Sequence, residues 1–584
     1  MVEWQAMRYH RISLLLLSLS VILWTISVRF SHLDIGDYGL VNSLRPEYFI
    51  SLFLLTVSFL VLVKFEPRAR FLLGLHLVVF ALFMILPSIV LESAPRGDFT
   101  YLCATCVKSI EHSNHIYPAE VFYLKWPGLH ILGAEVTTIT GMGTRTLMFW
   151  FPLLLQMMLL PVAAFLFRRL CNTPREFWIA MWLVILFPPL FGNLFLPTNT
   201  ATLLLILSMG IVLWSPSRFN RPVYRTSAML VLLLAALTIM HALTSLVTLI
   251  DLVIVFSMPV IALAWKRVVA AEDVVHRVGA MASGTWQAAR RGLGTPSRLL
   301  GYVGYDRLAL LILCMAFIAA WQFFGIESLH APVTPSGESI APPVQPGNPL
   351  SPVSPESGLE SIVELSFGGS EAHTQVVILR ILYGGILSVL ALGVFLRLVI
   401  ARKMDANSIM LMALIVVTSA ILMTLSQYGG EMLARAFWYA TPWLCILAAR
   451  CIVSGKLLTG ILVIVLLVSP VLTQVFRYGN EALDYVPPPV ITSAEFASHE
   501  TPESKTTLET AWATGLWLYE LYGSDSNIKT QSSPLNGAQY VAMSQSLQQA
   551  LHFFKDLDLD GYEQGLSSYN RIYANGEAEL FSKE

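Results

Sequence analysis

The sequence carries little charge for its length. Asp, Glu, Lys and Arg make up 13% of its 584 residues, about half of the roughly 25% that is usual in soluble domains. Cysteine is also scarce, since the chain has 6 such residues. Four of them lie in or beside apolar segments without an evident partner: Cys171, Cys314, Cys445 and Cys451. The low charge excludes an ordinary soluble globular protein, and these four cysteines offer no disulfide pair.

Long apolar runs take the place of charge. Hydrophobic residues make up 55% of the chain and the mean hydropathy is +0.65. A membrane-spanning helix needs about 20 apolar residues, because the hydrocarbon layer is about 30 Å thick and each helical residue rises about 1.5 Å. Such runs begin at Ile12, Phe49 and Phe71 and recur along the chain. They are continuous rather than alternating, which excludes a transmembrane β-barrel and predicts a polytopic α-helical membrane protein.

We expect about thirteen spans, and basic residues predict their orientation. The predicted centres lie near residues 21, 56, 81, 157, 186, 207, 235, 256, 317, 388, 416, 443 and 466. Between residues 226 and 265 the apolar stretch predicts two short helices with a turn near "MHALTS". Lys and Arg are retained on the cytoplasmic side of a membrane, and every second loop here is basic, starting with Arg8 and Arg11 before the first span. The N-terminus is therefore predicted to be cytoplasmic, in the plasma membrane, and an odd number of spans places the C-terminus outside.

The predicted membrane domain covers residues 1–477, with outer loops at 31–47, 93–145 and 326–375. The last of these is rich in proline, with eight between Pro332 and Pro355, and such a composition does not form a packed core. The basic segment from Lys266 to Arg307 is predicted to lie on the inner membrane surface.

Residues 478–584 are predicted to form a small extracytoplasmic α/β domain. This part has 15 acidic and 5 basic residues, whereas the rest of the chain has 23 acidic and 32 basic residues. Amphipathic helices are predicted to start at Thr506 and Tyr540. A β-hairpin is predicted to turn at Asn575-Gly576, because Asn-Gly suits the tight turn that joins two strands.

Two carboxylates, Asp34 and Asp37, lie in the stretch "FSHLDIGDYGL", directly after the first span. One interpretation is that they are ordinary acids of an outer loop. They are also suited to hold a divalent metal, or to act as a general base and the group that tunes its pKa. All three interpretations remain open from the residues alone.

The outer segment 93–145 is long and rich in polar and aromatic side chains, which is typical of a functional loop. The candidate substrate-binding residues here are Asp98, His112, His115, Lys125, Trp126 and His130. Cys103 and Cys106 precede His112 and His115 in a C-x2-C-x5-H-x2-H pattern. The pattern is compatible with a zinc site, with a Cys103–Cys106 disulfide on an oxidising outer face, or with free thiols.

Two further sites lie near predicted helix ends. Glu431 and Arg435 are four residues apart at the outer start of the twelfth span, where they form a neutralising pair or bind a phosphate-bearing headgroup. Ionisable residues near membrane depth are costly, so they favour a functional hypothesis. His241 lies in the turn of "MHALTS", either as an interface residue or in contact with substrate.

Short strings in these regions resemble the GT-C superfamily of integral-membrane glycosyltransferases, in particular its archaeal multi-spanning members. They are "LDIGDYGL" at Leu33, "YLKWPGLHIL" at Tyr123, "HALTS" at His241, "YGGEMLAR" at Tyr428 and "RIYANGEAELF" at Arg571. The chain departs from many of these proteins in having "TYLCATC" where they carry a histidine-bearing string. It also lacks the W-W-D-type string of the oligosaccharyltransferases, which argues against transfer of a whole glycan to asparagine.

The resemblance implies a donor sugar linked to polyprenyl or dolichyl phosphate, and a glycan or protein acceptor of the cell envelope that enters from outside. Asp34 or Asp37 would deprotonate the acceptor hydroxyl, which attacks with inversion. Arg435, together with Arg96 or Lys125, would stabilise the departing lipid phosphate. Membrane lipids are the other expected partners, and nucleic acid is not expected.

Two other classes stay open at this point. A flippase, transporter or polymerase-like protein of surface polysaccharide also has many spans, although such proteins often contain internal repeats and none is evident here. A non-catalytic membrane scaffold whose tail binds partners is the third class.

Overall fold

The structure is a computed structural model, and it describes most of the membrane domain together with parts of the C-terminal domain. The described residues are 2–36, 38–66, 68–116, 125–186, 194–214, 223–258, 316, 371–424, 431–479, 485–500, 507–510, 527–529, 540–544, 566–575 and 578–583. The basic segment from Lys266 to Arg307 and the proline-rich segment before Glu371 both lie outside the described residues.

Most of the described chain is helical. The helices are α1 (Val2–Phe30), α2 (Pro46–Val63), α3 (Arg70–Leu91), α4 (Asp98–Ser113), α5 (Gly128–Thr140), α6 (Thr144–Leu170), α7 (Pro174–Leu186), α8 (Pro197–Trp214), α9 (Val223–Met240), α10 (Ala242–Met258), α11 (Glu371–Ile400), α12 (Ala406–Thr424), α13 (Glu431–Ala449), α14 (Cys451–Ser454), α15 (Lys456–Tyr478) and α16 (Pro488–Glu500).

Eight of these helices are long and apolar enough to cross a membrane, and shorter apolar helices stand beside them. Helices cover twelve of the thirteen predicted span centres, and the remaining centre, near residue 317, lies outside the described residues. The polytopic helical architecture is confirmed. The two short helices predicted around "MHALTS" are confirmed as well, since α9 ends at Met240 and α10 begins at Ala242.

The short helix α7 lies at the centre of the bundle. Its Trp182 is fully buried and stacks on Phe59 of α2 and Phe80 of α3, with ring centroids 4.1 and 4.0 Å away. Proline at the first position of a helix is well tolerated, and α7 and α8 both begin with one. Large apolar side chains therefore hold the membrane domain together around α2, α3 and α7.

The helix ends define two faces, which we name the outer end and the inner end after the orientation that the basic residues predict. At the inner end, Arg450 joins three connecting segments. Its Nη1 lies 3.1 Å from Asp405 Oδ1 and also contacts Ser408 Oγ, and its Nη2 donates to the Leu170 carbonyl at 3.1 Å. Asn172 Nδ2 donates to the other Asp405 oxygen at 3.0 Å. This inner clamp links the ends of α6, α12 and α13.

The outer segment 93–145, which we predicted to be a loop, is largely helical. It contains α4 and α5, because Tyr101, Ala104 and Val107 recur at intervals of three and form a buried face. A Cβ atom on Gly128, the first residue of α5, would lie 3.0 Å from the Met240 Cα. The start of α5 is therefore packed directly against the end of α9, which places the two predicted site regions side by side.

The C-terminal domain contains a five-stranded mixed sheet, and two predicted helices are wrong at their starts. The strands are β1 (Thr507–Thr510), β2 (Asn527–Lys529), β3 (Tyr540–Ser544), β4 (Asn570–Ala574) and β5 (Ala578–Ser582), in the order β2-β1-β3-β5-β4. The residues at 507 and 540 therefore begin strands. β3 lies between β1 and β5, and its Val541 is fully buried, so sheet pairing outweighs the helical pattern of the sequence there.

The predicted hairpin is confirmed, since β4 and β5 pair antiparallel and the Asn575 amide donates to the Ala578 carbonyl at 3.1 Å. Helix α16 packs against β5. One apolar cluster joins Val490 and Ile491 of α16 to Met148 of α6. The small domain is therefore docked on the outer helices through apolar side chains.

Candidate functional site

The acid-bearing loop at the outer end is built on two glycines. Gly39 has φ of +56°, a conformation that favours glycine, and its amide donates to the Gly36 carbonyl at 2.9 Å. A Cβ atom on Gly36 would clash with the amide of Asn42. Gly36 and Gly39 are thus joined by a backbone hydrogen bond, and Gly39 has a conformation that other residues rarely adopt. Asp37 lies outside the described residues.

Asp34 combines an exposed side chain with a fixed backbone. Its amide donates to Ser43 Oγ at 2.8 Å, and the same hydroxyl donates back to the Asp34 carbonyl at 3.0 Å. Tyr38 donates a hydrogen bond to Gln375 at the start of α11. The short 3-10 helix Leu40–Ser43 packs against α15. The loop is therefore anchored to α11 and α15, and the Asp34 carboxylate is left open to a ligand.

The next outer segment, from Glu92 to Asp98, is anchored to the same helix α15. Arg96 forms two hydrogen bonds to the Glu92 carboxylate: Nε donates to Oε2 at 2.6 Å, and Nη2 donates to Oε1. Both residues are buried. The Arg96 guanidinium lies over the Tyr478 ring, 4.6 Å from its centroid. Asp98, half-buried, begins α4. The segments that carry Asp34 and Asp98 thus meet at the outer end of α15.

The cysteines and histidines in and just after α4 do not converge. Cys103 and Cys106 are buried free thiols, whereas His112 and His115 are exposed. Burial raises the pKa of Cys103 and raises that of Cys106 to about 12, so both remain protonated at neutral pH. Of the alternatives left open by the sequence, the structure has free thiols rather than a disulfide. In the part of the chain that is described, no three His, Cys, Asp or Glu side chains converge as metal ligands.

The residues from Lys125 to His130 lie beside the α9–α10 turn, as the contact of Gly128 with Met240 requires. Lys125 is buried, and its burial lowers its pKa. Trp126 is half-buried. His130 is fully buried, and neither ring nitrogen has a hydrogen-bond partner among the residues that the structure describes. Burial lowers its pKa to about 4, so the ring is neutral at physiological pH.

His241 belongs to a hydrogen-bond network that connects three helices. Its Nδ1 lies 2.9 Å from Thr244 Oγ1 and its Nε2 lies 3.3 Å from Thr198 Oγ1. Thr244 Oγ1 is in turn 2.7 Å from the Tyr439 hydroxyl. Burial, and then the positive charge of Arg435, lower the pKa of His241, which lies between two membrane helices, to about 3. The network therefore holds a neutral histidine close to a half-buried guanidinium.

The predicted pairing of Arg435 with Glu431 stays a prediction. Glu431 is the first residue of α13, and its side chain lies outside the described residues. The predicted divalent metal stays a prediction for the same reason, since Asp34 is the described member of the acidic pair. One carboxylate does not make a metal site, so no step below passes through a metal.

Several polar residues at the outer end were not selected from the sequence. Tyr48, Arg477 and Tyr478 surround the end of α3, and Arg380 donates from Nη2 to the Phe476 carbonyl at 2.8 Å. A signal was present, because arginines at the predicted outer ends of spans run against the usual cytoplasmic placement of basic residues. The sequence could not show that side chains from residues 48 and 478 would meet.

Comparisons with known proteins give structural similarity only. No family model and no curated protein matches this sequence. Among solved structures, 18 chains match it. One is the crystal structure of the Archaeoglobus fulgidus oligosaccharyltransferase tethered, via a disulfide bond, with an acceptor peptide containing the NVT sequon. It is 12% identical, with a TM-score of 0.49, over 89% of this chain and 74% of that one. The roles proposed below come from this chain's own residues and their geometry.

Proposed function

We propose that the protein is a membrane glycosyltransferase that transfers a sugar from a polyprenyl- or dolichyl-phosphate donor to an acceptor hydroxyl at the outer face. The observation that carries the proposal is the Asp34 loop. It presents an exposed carboxylate on a fixed backbone, and the outer part of the membrane domain also carries the buried Arg96 and the half-buried Arg435 and Arg477. A carboxylate for the acceptor and guanidinium groups for a phosphate are the two requirements of this reaction.

In the proposed reaction Asp34 or Asp37 accepts the proton of the acceptor hydroxyl. The acceptor oxygen forms a bond to the anomeric carbon while the bond from that carbon to the phosphate oxygen breaks. The electron pair of the broken bond remains on the lipid phosphate, and attack from the opposite face inverts the anomeric centre. A positioned general base typically contributes a rate factor of about 100 to 10,000.

Arg435 would stabilise the negative charge on the departing phosphate, as electrostatic groups do most strongly where water is excluded. Its surroundings suit this role, because His241 is neutral and does not compete with it for the anion. Asp98 and the segment from Lys125 to His130 would contact the sugar or the acceptor. Arg96 fits the phosphate role less well than the sequence suggested, since Glu92 occupies one edge of its guanidinium.

Asp34→Asn and Asp37→Asn test the proposal in purified protein reconstituted with polyprenyl-phosphate-linked sugars. We expect each variant to fold normally and one of them to lose transfer by about 100-fold or more, measured as radiolabelled sugar passed to a soluble acceptor. Glu47→Gln is the matched control, because Glu47 is a nearby exposed carboxylate that pairs with Arg45.

The proposal fails if the Asp34→Asn, Asp37→Asn double variant transfers sugar at the normal rate. A loss of lipid-linked sugar flux in proteoliposomes, with no transfer in any preparation, would indicate a transporter instead. Removal of divalent cations with a chelator tests the predicted metal independently of both carboxylates.

A further inference from the structure

A second polar centre at the outer end is built around a proline kink in α3. Pro87 lies inside this helix. Because proline has no amide hydrogen, it leaves the carbonyl of the residue four positions earlier, Phe83, without a helical donor. The Tyr48 hydroxyl donates to that carbonyl at 2.7 Å. The kink therefore draws α2 and α3 together around a polar core.

The end of α15 completes this centre. The neighbouring carbonyl, that of Met84, accepts from the Tyr478 hydroxyl and from Arg477 Nη1, each at 3.0 Å. Tyr48 and Tyr478 are fully buried. Both hydroxyl hydrogens are used on backbone carbonyls, so the tyrosines hold the helices in place rather than offering donors to a ligand.

Arg477 is left with one edge unused. Its Nε and Nη2 are buried, and no described residue accepts a hydrogen bond from either. In arginine these two nitrogens point to the same side and form a fork that matches two oxygens of a carboxylate or phosphate. Arg96 and Arg45 each use this same edge on a glutamate. Arg477 is the one of these three whose fork has no partner among the described residues.

Among the described side chains, the centre carries one more positive charge than negative charge. Arg96 and Arg477 bring two positive charges, and Glu92 neutralises one of them. An unmatched charge with its donors unpaired is expensive at the end of membrane helices. We propose that the Arg477 fork binds a phosphate group at the outer membrane surface, separately from Arg435.

The surroundings favour a phosphate that is attached to a lipid. Ile50 of α2 and Val90 of α3 lie on the helices that flank the centre, and about half of each side chain is exposed, as expected for residues that face lipid tails. The Asp34 loop packs on the same end of α15. A headgroup held by Arg477 would therefore lie near the proposed base. This identification of the carrier rests on the proposed function, whereas the phosphate site itself does not.

Binding of two probes to the protein in nanodiscs of uncharged lipid tests the site. The probes are a polyprenyl phosphate and inorganic phosphate, each titrated while the thermal unfolding temperature and bound phosphorus are measured. We expect saturable binding of the polyprenyl phosphate. Competition by inorganic phosphate would mark a site for the phosphate group alone, and no competition would mark a site for the lipid headgroup.

Arg477→Gln is expected to weaken this binding by about ten- to a hundredfold, the effect of losing charged hydrogen bonds. Arg477→Lys should recover part of the affinity, because lysine keeps the charge but not the fork. Arg45→Gln is the matched control, because Glu47 already occupies the Arg45 fork. The affinity of this variant for polyprenyl phosphate should equal that of the unmodified protein. If Arg477→Gln does not fold, the lysine variant and the unmodified protein still decide the question.

The site is refuted if the unmodified protein binds neither probe, or if the glutamine or lysine variant binds as tightly as the unmodified protein. The proposed function is judged separately, since whichever of Asp34→Asn and Asp37→Asn loses transfer should still bind phosphate. Loss of transfer with normal phosphate binding in Arg477→Gln would likewise refute the site and leave the enzyme proposal intact.

Discussion

Arg450 and Arg477 are buried guanidinium groups at opposite ends of the membrane domain, and their partners differ. At the inner end, Arg450 donates to Asp405, Ser408 and the Leu170 carbonyl and leaves Nε as its unpaired nitrogen. At the outer end, Arg477 donates to the Met84 carbonyl and leaves both nitrogens of its fork unpaired. The inner arginine is neutralised within the protein, whereas the outer one has donors for a further group.

The same difference extends to neighbouring side chains. At the inner end Asn172 and Ser408 complete the hydrogen bonds of Asp405. At the outer end His130 is buried with both ring nitrogens unpaired. An unmade hydrogen bond in a buried group costs about 1 to 3 kcal/mol. The partners of Asp405 therefore have a structural role, whereas His130 is buried at a cost that no described partner offsets.

The largest effect is expected for Arg450→Met. Asp405 is partly exposed, so the cost comes from the three hydrogen bonds of the buried Arg450, at about 1.5 kcal/mol each and roughly 4 kcal/mol together, and this variant should unfold at a much lower temperature than the unmodified protein. Arg477→Met should change the free energy of unfolding by less than about 1 kcal/mol, because Tyr478 still caps the Met84 carbonyl and a half-paired charge is removed. Chemical unfolding in detergent measures both. Equal losses of stability would remove the distinction between the two ends.

The next effect concerns pH. The pKa of His130 is about 4 in the folded protein and near 6.5 when unfolded. The unfolded chain therefore binds more protons between these values, and this group stabilises the fold above pH 6.5 and loses that contribution as pH falls to 4. The loss amounts to about 3 kcal/mol.

His130→Leu should remove this acid-side loss and raise stability at pH 7 by about 1 to 3 kcal/mol, since no described residue pairs with the buried ring nitrogens that it removes. The measurement is the unfolding temperature between pH 7 and pH 4, with His115→Leu, at an exposed histidine just after α4, as the control. A His130→Leu variant that loses stability with acid as steeply as the unmodified protein would contradict the assignment.

The sequence predicted the parts of this molecule that depend on local composition. Continuous apolar runs locate twelve span centres, and Asn575-Gly576 locates the hairpin. The strand at Tyr540 was predicted as a helix, because its assignment depends on pairing with β1 and β5, and those partners are remote in sequence. The polar centre at the outer end could not be predicted for the same reason, since only packing brings Tyr48, Met84 and Tyr478 together. The sequence shows Pro87, but it does not show which hydroxyl group donates to the Phe83 carbonyl that this proline leaves without a helical donor.

A smaller effect tests the proline kink. Tyr48→Phe should cost about 1 to 3 kcal/mol, since it leaves the buried Phe83 carbonyl without a donor. Pro87→Ala supplies an amide hydrogen to the same carbonyl, so Tyr48→Phe should cost much less when combined with it. A double-mutant cycle on the free energy of unfolding measures this coupling. Additive effects of the two substitutions would show that the kink does not create the need for Tyr48.

The smallest effect on stability is expected from breaking the ion pair between Arg145 and Glu495 at the outer end. Arg145 Nη1 lies 3.0 Å from Glu495 Oε1 and links α6 to α16, but more than a third of each side chain is exposed. Water screens such a pair, and exposed pairs contribute about 0.2 to 1 kcal/mol. Glu495→Ala should therefore leave the C-terminal domain docked, whereas Ile491→Asp, in the apolar contact with α6, should release it. Limited proteolysis of the two variants distinguishes the contributions. Release of the domain by Glu495→Ala would mean that charge, rather than apolar contact, holds it against the outer helices.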